Sequence, residues 1–434
     1  MSRRKRGELK VKPHLLNLFM CGSKSSVEVN QSATNNSSSA SASASASASA
    51  ASSGYAKQNS ASTSYINSSS YGYGDLLHSR SSISSATSLS NIRQTLPHTP
   101  HLYDFSEISA ATAGLQANPV SASSTSSSWR CTLRDQDVIV IRRKLRRPTT
   151  LPDLQRKLAL ISRSHHSSLC KLQGLSLSGN YLYLAYEYVV GVNLLLSLRS
   201  PRNPNFTILS KWLSRVQIAA DVAHGLDYIH NSTGLGSDFV HNHIKCTSII
   251  VTEPDLNAKI CHFGTAELCG EVPDKAPSRF DRVGSGQLKF QGTRGYMAPE
   301  FQLSGTPTKQ TDVYAFGVVL LELFSGGELL KYSVDEETGG FTRVSLIETA
   351  REALIGNSNS KLRHWVDKRL KDSYPVEVAE KMVKLAVDCV DEDPKKRPDM
   401  GLIVGSISKM YLESKSWADR MATPEDISVS LAPR

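Results

Sequence analysis

The sequence predicts an α+β fold in two lobes, a small strand-rich half followed by a larger helical half, set behind a long segment that builds no core. Three observations predict it. After Trp129, short β-branched and aromatic runs follow one another, "DVIVIRR" at 137–143 and "NYLYLAYEYV" at 180–189, the composition of strands. From "DVYAFGVVLLELFSG" at 312–326 the chain reads as helical to about Glu413. Before Trp129, residues 25–128 are rich in Ser and Ala, with the run "SASASASASASAA" at 39–51. Charges are scarce there and apolar residues isolated, so a disordered arm is expected.

Each element follows in order. Residues 1–24 form a basic head, with Arg3, Arg4, Lys5, Arg6, Lys10, Lys12 and Lys24 against Glu8 alone, and supply much of the chain's formal charge of +10. Such a head suits anionic lipid or a nuclear import receptor. It lacks the interleaved aromatics of a nucleic-acid module, so no nucleic acid is expected. Ser2 excludes myristoylation. Seven cysteines without a CxxC pair point to a reducing compartment rather than a disulfide framework. No run of about 18 apolar residues marks a membrane span. The ordered domain is expected over 129–415, with a strand-rich lobe at 129–187, a helical lobe at 188–415 and a tail at 416–434. Within it, "LPDLQRKLALISRS" at 151–164 has a helical period with Pro152 near its start. Trp212, Val216, Ala219, Ala223 and Leu226 recur at steps of four and three along a longer helix. Two histidine-bearing loops come next, "FVHNHIKCTSIIV" at 239–251 and "KICHFGTAE" at 259–267.

The ordered motifs "GTRGYMAPE" (292–300), "DVYAFGVVLLEL" (312–323) and "WVDKRL…CVDEDPKKRPDM" (365–400) resemble the helical lobe of a eukaryotic protein kinase. "FSEISAAT" at 105–112 and "ISRSHHSSLCKLQG" at 161–174 resemble plant receptor-like kinases, especially the intracellular domains of LysM receptor kinases. The resemblance implies the two-lobed protein-kinase-like fold. It implies structural roles as well: Glu300 pairs with Arg397, Asp312 holds the catalytic loop through backbone hydrogen bonds, His241 and Phe263 belong to the apolar stack that joins the lobes, and Gly264 is a structural position after them. A receptor exterior and membrane span are missing from the resemblance, which implies a cytoplasmic relative, peripheral at the plasma membrane if the basic head binds lipid.

Phosphoryl transfer in that family uses a glycine-rich loop, a strand lysine paired to a helix glutamate, a catalytic aspartate and asparagine, and a metal-binding aspartate. Here "VSASSTSSSWRCTLRD" at 120–135 holds no glycine. Alternation along "VIVIRR" puts Val140 at the alanine position and Arg142 at the lysine position, with Ile141 there if the register slips, and counting back from His165 puts Lys157 at the glutamate. Arg142 and Lys157 are expected to point to solvent. The catalytic aspartate, asparagine and arginine become His243, Ser248 and Asn242, Lys245 is retained, and the metal-binding aspartate becomes His262. Histidine can serve as a general base, but magnesium requires hard oxygen ligands. The histidines and Cys246 and Cys261 could form a transition-metal site, yet their spacing matches no dedicated module, and no metal is expected. Backbone groups of the hinge "YEY" at Tyr186, Glu187 and Tyr188 could still meet an adenine. The expectation is a catalytically inactive scaffold or regulator of an active receptor-like kinase. The alternative is an atypical Ser/Thr kinase that binds ATP without normal magnesium coordination.

Overall fold

The computed structural model describes residues 26–28, 100–122, 126–236, 238–272, 291–334, 341–356 and 359–422. The basic head and nearly all of the arm up to residue 99 lie outside them. Strand β1 (Ser26–Glu28) pairs antiparallel with a later strand at Gln291–Thr293.

The small lobe is a six-stranded sheet built from β2 (His101–Leu102), β3 (Ser121–Ala122), β4 (Ser126–Leu133), β5 (Gln136–Lys144), β6 (Leu172–Ser178) and β7 (Tyr181–Glu187), in the order β2-β6-β7-β5-β4-β3. The β2–β6 pairing is parallel and the others antiparallel. Both faces of this sheet are covered. Helix α1 (Phe105–Ala111) starts with a capping box in which the Asp104 N–H donates to Glu107 at 3.1 Å, an arrangement that satisfies donors the helix itself leaves open. It lays Ile108 on the outer face, where Tyr103, Ile108, Leu133, Val138, Val140, Tyr183 and Ala185 form a separate apolar cluster. Ile108 is 0% exposed, burial that stabilises by roughly 1.5–3 kcal/mol. The Trp129 indole N–H reaches back to the Ala117 carbonyl at 3.0 Å. Residues 100–122, expected to belong to the disordered arm, carry described structure ahead of Trp129: the aromatic and aliphatic residues that look isolated in sequence are gathered on one face by α1.

The inner face packs on helix α2 (Leu151–Ile161), which Thr150 caps by accepting from the Asp153 N–H and which buries Leu154, Leu158 and Ile161. The large lobe opens with β8 (Gly191–Asn193) and helix α3 (Leu194–Leu198), followed by α4 (Trp212–Asp227). Strands β9 (Ile249–Thr252) and β10 (Ala258–Ile260) carry the two histidine loops, and helix α5 (Thr265–Leu268) follows directly. Strand β11 (Gln291–Thr293) leads to α6 (Pro299–Ser304) and α7 (Lys309–Ser325), a helix buried along most of its length. After a hairpin, helices α8 (Leu346–Leu354), α9 (Asn359–Trp365), α10 (Val376–Cys389) and α11 (Met400–Ala422) complete the lobe. Helix α11 runs past residue 415, where the tail was expected to start, because Ser414 is buried and takes the Trp212 indole N–H at 2.9 Å.

Candidate active-site cleft

The cleft between sheet and helical lobe encloses about 790 Å³ and is lined by Ile139, Ile141 and Arg143 of β5, by Glu187 and Tyr188, and by the catalytic-loop segment. Strand alternation fixes which residues enter it. Arg142 pairs with Tyr183 and Arg143 with Leu182 across β7, so Val140 and Arg142 face the outer side. Val140 is buried in the outer cluster, and the Arg142 guanidinium lies 5.3 Å from the Tyr181 ring centre and 5.7 Å from that of Trp129. The register read from sequence is thus corrected by one residue: Arg143 enters the cleft at the lysine position, with Ile141 two residues before it.

Asp312 organises the loop beneath. Its carboxylate accepts the backbone N–H groups of His241 (2.7 Å) and Asn242 (2.8 Å) and lies 3.0 Å from His230 Nε2. Asn242 takes φ of +62°, a left-handed conformation that asparagine tolerates better than most residues. The His241 ring is fully buried, 2.9 Å from the Cys261 carbonyl, and burial lowers its pKa to about 4. Phe263 packs edge-on against Phe239 at 5.7 Å. At Gly264, φ is +80° and a Cβ would stand 2.7 Å from Ile161, so no side chain fits. Farther down, Arg397 grips Glu300 with two bonds of 2.6 and 2.8 Å.

The floor of the cleft is closed by a residue that the sequence reading passed over. The Glu271 carboxylate lies 2.8 Å from His243 Nε2, 3.2 Å from an Arg143 nitrogen and 3.3 Å from the Asn242 side-chain amide. The same Arg143 nitrogen is 2.9 Å from His243 Nε2. His243 and Arg143 hold the Glu271 carboxyl far below the usual range against the opposing effect of its burial. Burial also lowers the His243 pKa, with Glu271 opposing. The His262 pKa is pushed well below its ordinary value by burial and by the charges of His243 and Arg143. His262 has φ of +71° and its ring stands edge-on to Tyr186 at 6.3 Å and to His243 at 6.2 Å. Tyr186, read from the sequence only for its backbone, donates its hydroxyl to the Phe263 carbonyl at 2.8 Å.

Ser248 is fully buried; its hydroxyl accepts the Lys245 N–H at 3.0 Å and turns its proton toward the carbonyls of His243 (2.6 Å) and Lys245 (2.8 Å). The Lys245 ammonium reaches the Thr293 hydroxyl at 3.2 Å. A neutral imidazole and a hydroxyl already engaged within its own turn do not fit magnesium, which takes hard oxygen ligands in near-octahedral array. Among the described residues, no group of three or more His, Cys, Asp or Glu side chains is arranged to hold a metal ion.

Lys157 does not point freely to solvent. It pairs with Glu267 of α5 at 2.7 Å, so both N-lobe cations, Arg143 and Lys157, take carboxylates from the segment after Gly264. Glu187 pairs with Lys259 at 2.8 Å, and Tyr188 carries the Arg130 guanidinium 3.7 Å above its ring. The Tyr188 N–H donates to the Asp137 backbone carbonyl at 3.1 Å, so this backbone donor is engaged within the protein.

The sequence pattern of the protein tyrosine and serine/threonine kinase family matches residues 126–407. Among curated proteins, the chain is 34% identical over 331 residues to LysM domain receptor-like kinase 3 of Arabidopsis thaliana, covering 74% of this chain and 48% of that protein. It is 38% identical over 267 residues to chitin elicitor receptor kinase 1 of the same plant, covering 60% and 39%. The chain thus spans less than half the length of these relatives. Among solved structures, the pseudokinase domain of BIR2, an immune regulator of the RLK/Pelle family, aligns with a TM-score of 0.55 at 22% identity, over 77% of this chain and 95% of that one, a likeness of fold.

Proposed function

From the premise that the chain belongs to the protein tyrosine and serine/threonine kinase family, we propose that it is a pseudokinase. In this reading it has given up phosphoryl transfer and acts by binding, as a scaffold or regulator of an active receptor-like kinase. The observation that carries this is Glu271, whose carboxylate pairs with Arg143 and takes the Nε2 of the His243 imidazole on the cleft floor. A transferring phosphoryl group needs a free cation at the strand position and a metal to neutralise its charge. Here the Arg143 charge is neutralised from within, and His262 and Ser248 stand at the positions that bind metal in the family. General-base help worth ~10²–10⁴ in rate would remain open to His243, but burial keeps its pKa low and Glu271 takes its Nε2.

The kinship with LysM receptor-like kinases supports a receptor-like kinase as partner, met on the cytoplasmic side, with the basic head offering contact to an anionic membrane. Helices long and apolar enough to cross a membrane are absent among the described residues.

The test is a thermal-shift titration of the full chain with ATP and ADP, in magnesium, manganese and EDTA, beside a radioactive autophosphorylation assay. A ligand at a hundredfold its dissociation constant adds roughly 2.7 kcal/mol, a readily visible shift. The expected result is no metal-dependent shift and no incorporated phosphate, with a stable complex forming with a purified receptor-like kinase domain. A metal-dependent ATP shift with label lost in His243→Ala would put the atypical Ser/Thr kinase in its place.

A further inference from the structure

At the back of the cleft, two thiols meet. Cys170 Sγ and Cys261 Sγ are 3.4 Å apart, and both side chains line the cavity. Their approach is set by the backbone. The Cys170 N–H donates to the Ile260 carbonyl at 2.9 Å, the Ile260 N–H to Ser168 at 2.7 Å and the Cys261 N–H to Ser248 at 2.8 Å, while Leu169 and Ile260 form a parallel bridge. Neighbouring backbones tied in this way leave only side-chain rotation between the sulfurs and a bond.

We propose that Cys170 and Cys261 form a redox-modification site, a dithiol that a peroxide-class oxidant converts reversibly to a disulfide. The two sulfurs have different roles. Cys261 is partly exposed, whereas Cys170 is 2% exposed. The hydrogen bond with Cys261, followed by burial, holds the Cys170 pKa well above the ordinary thiol value, so Cys170 stays protonated until a partner is ready. Cys261 attacks one peroxide oxygen, the O–O bond breaks and water leaves, giving a sulfenic acid. The Cys170 sulfur then attacks that sulfur, the S–O bond breaks, and a second water departs with the Cys170 proton. Two thiols are oxidised by two electrons in total, and one peroxide is reduced to two waters.

The other cysteines of the described residues lack these features. Cys246, Cys269 and Cys389 are buried, and burial pushes the partly exposed Cys131 thiol up to about 11. The bridge would join the entry to β6 with the residue beside His262, closing a loop that contains α4 and the whole catalytic-loop segment.

The experiment uses the full reduced chain treated with equimolar hydrogen peroxide, blocked with N-ethylmaleimide and mapped by peptide mass spectrometry. The expected product is a linked peptide pair joining Cys170 to Cys261, cleaved by dithiothreitol and accompanied by a higher thermal midpoint. Phenylarsine oxide, which caps adjacent thiols, should protect the same pair from alkylation. Cys131→Ser should leave the linked product unchanged and Cys261→Ser should abolish it. Recovery of both cysteines as alkylated thiols, or of Cys261 as a sulfinic acid without the link, would overturn the proposal. The wild-type map decides this even if a variant fails to fold.

Discussion

Two carboxylates hold the same short stretch of chain, and they do so differently. Asp312 reaches residues 241 and 242 through their backbone N–H groups. Glu271 meets residues 242 and 243 through their side chains. Every residue but proline offers a backbone donor, so the Asp312 anchor tolerates side-chain exchanges at positions 241–243 other than to proline. Side-chain chemistry carries no such protection. The polar groups of Asn242, His243 and Ser248 at the cleft floor have partners inside the protein. The difference teaches that a fold can retain its backbone-directed scaffold while its ligand-directed groups turn inward.

The largest expected effect comes from breaking the backbone anchor. Asp312→Ala would strand two buried N–H groups and remove the partner of His230, each orphan costing about 1–3 kcal/mol. We expect a loss of about 3–5 kcal/mol in urea unfolding, with Asp312→Asn intermediate. An unchanged midpoint in Asp312→Ala would contradict the anchoring role.

The pH dependence of stability comes next. His241 has a pKa lowered from 6.5 to about 4 by burial. The unfolded chain therefore binds its proton first as pH falls, so the stabilisation is complete above 6.5 and is lost progressively down to the folded value. At 1.36 kcal/mol per unit, this histidine alone withdraws about 3 kcal/mol over that window. His243 and His262, also lowered, act in the same direction. Glu271, held far below its ordinary 4.5, adds a further loss below that value. Unfolding followed from pH 7 to pH 4 should show stability falling throughout; a flat profile would mean that these histidines are not desolvated.

How much of this was legible in sequence depends on which face of an element a residue uses. Helices such as Trp212–Asp227 declared themselves through their period, because one face is buried and the spacing shows it. The sheet did not yield its register. With Val138 and Val140 buried under α1 and Ile141 buried on the cleft side, "DVIVIRR" is apolar on both faces, and alternation then has no phase. The two misreadings share one cause: taking residues 100–128 as disordered removed the cover that explains why Val140 points outward. Arg143 was recoverable from the pattern only after α1 was placed. Glu271 had no signal at all, since a lone acidic residue in a loop acquires meaning only when the chain brings Arg143 and His243 to it.

Replacing the internal counter-ion should sharpen the comparison. Glu271→Gln keeps the shape but frees the Arg143 charge, so the cleft floor should bind an anion more readily. We expect roughly a tenfold gain in affinity for tripolyphosphate without metal, which corresponds to about 1.4 kcal/mol, measured by calorimetry at low salt. The gain should shrink as ionic strength rises. Equal affinity in wild type and variant would mean that Glu271 does not compete for the Arg143 charge.

The smallest effect is expected where a pair of the same origin lies nearer to solvent. Lys157 and Glu267 form their bridge at 2.7 Å with side chains 26% and 28% exposed, against 18% and 13% for Arg143 and Glu271. Water screens the first pair more, and pairs of this kind contribute about 0.2–1 kcal/mol. Lys157→Ala should therefore lower stability by less than about 1 kcal/mol and leave the tripolyphosphate affinity unchanged, because it withdraws no partner from Glu271. A larger loss would mean that α2 depends on this bridge for its position against α5, and that the exchange of charge between the two lobes is structural along its whole length rather than concentrated at the cleft floor.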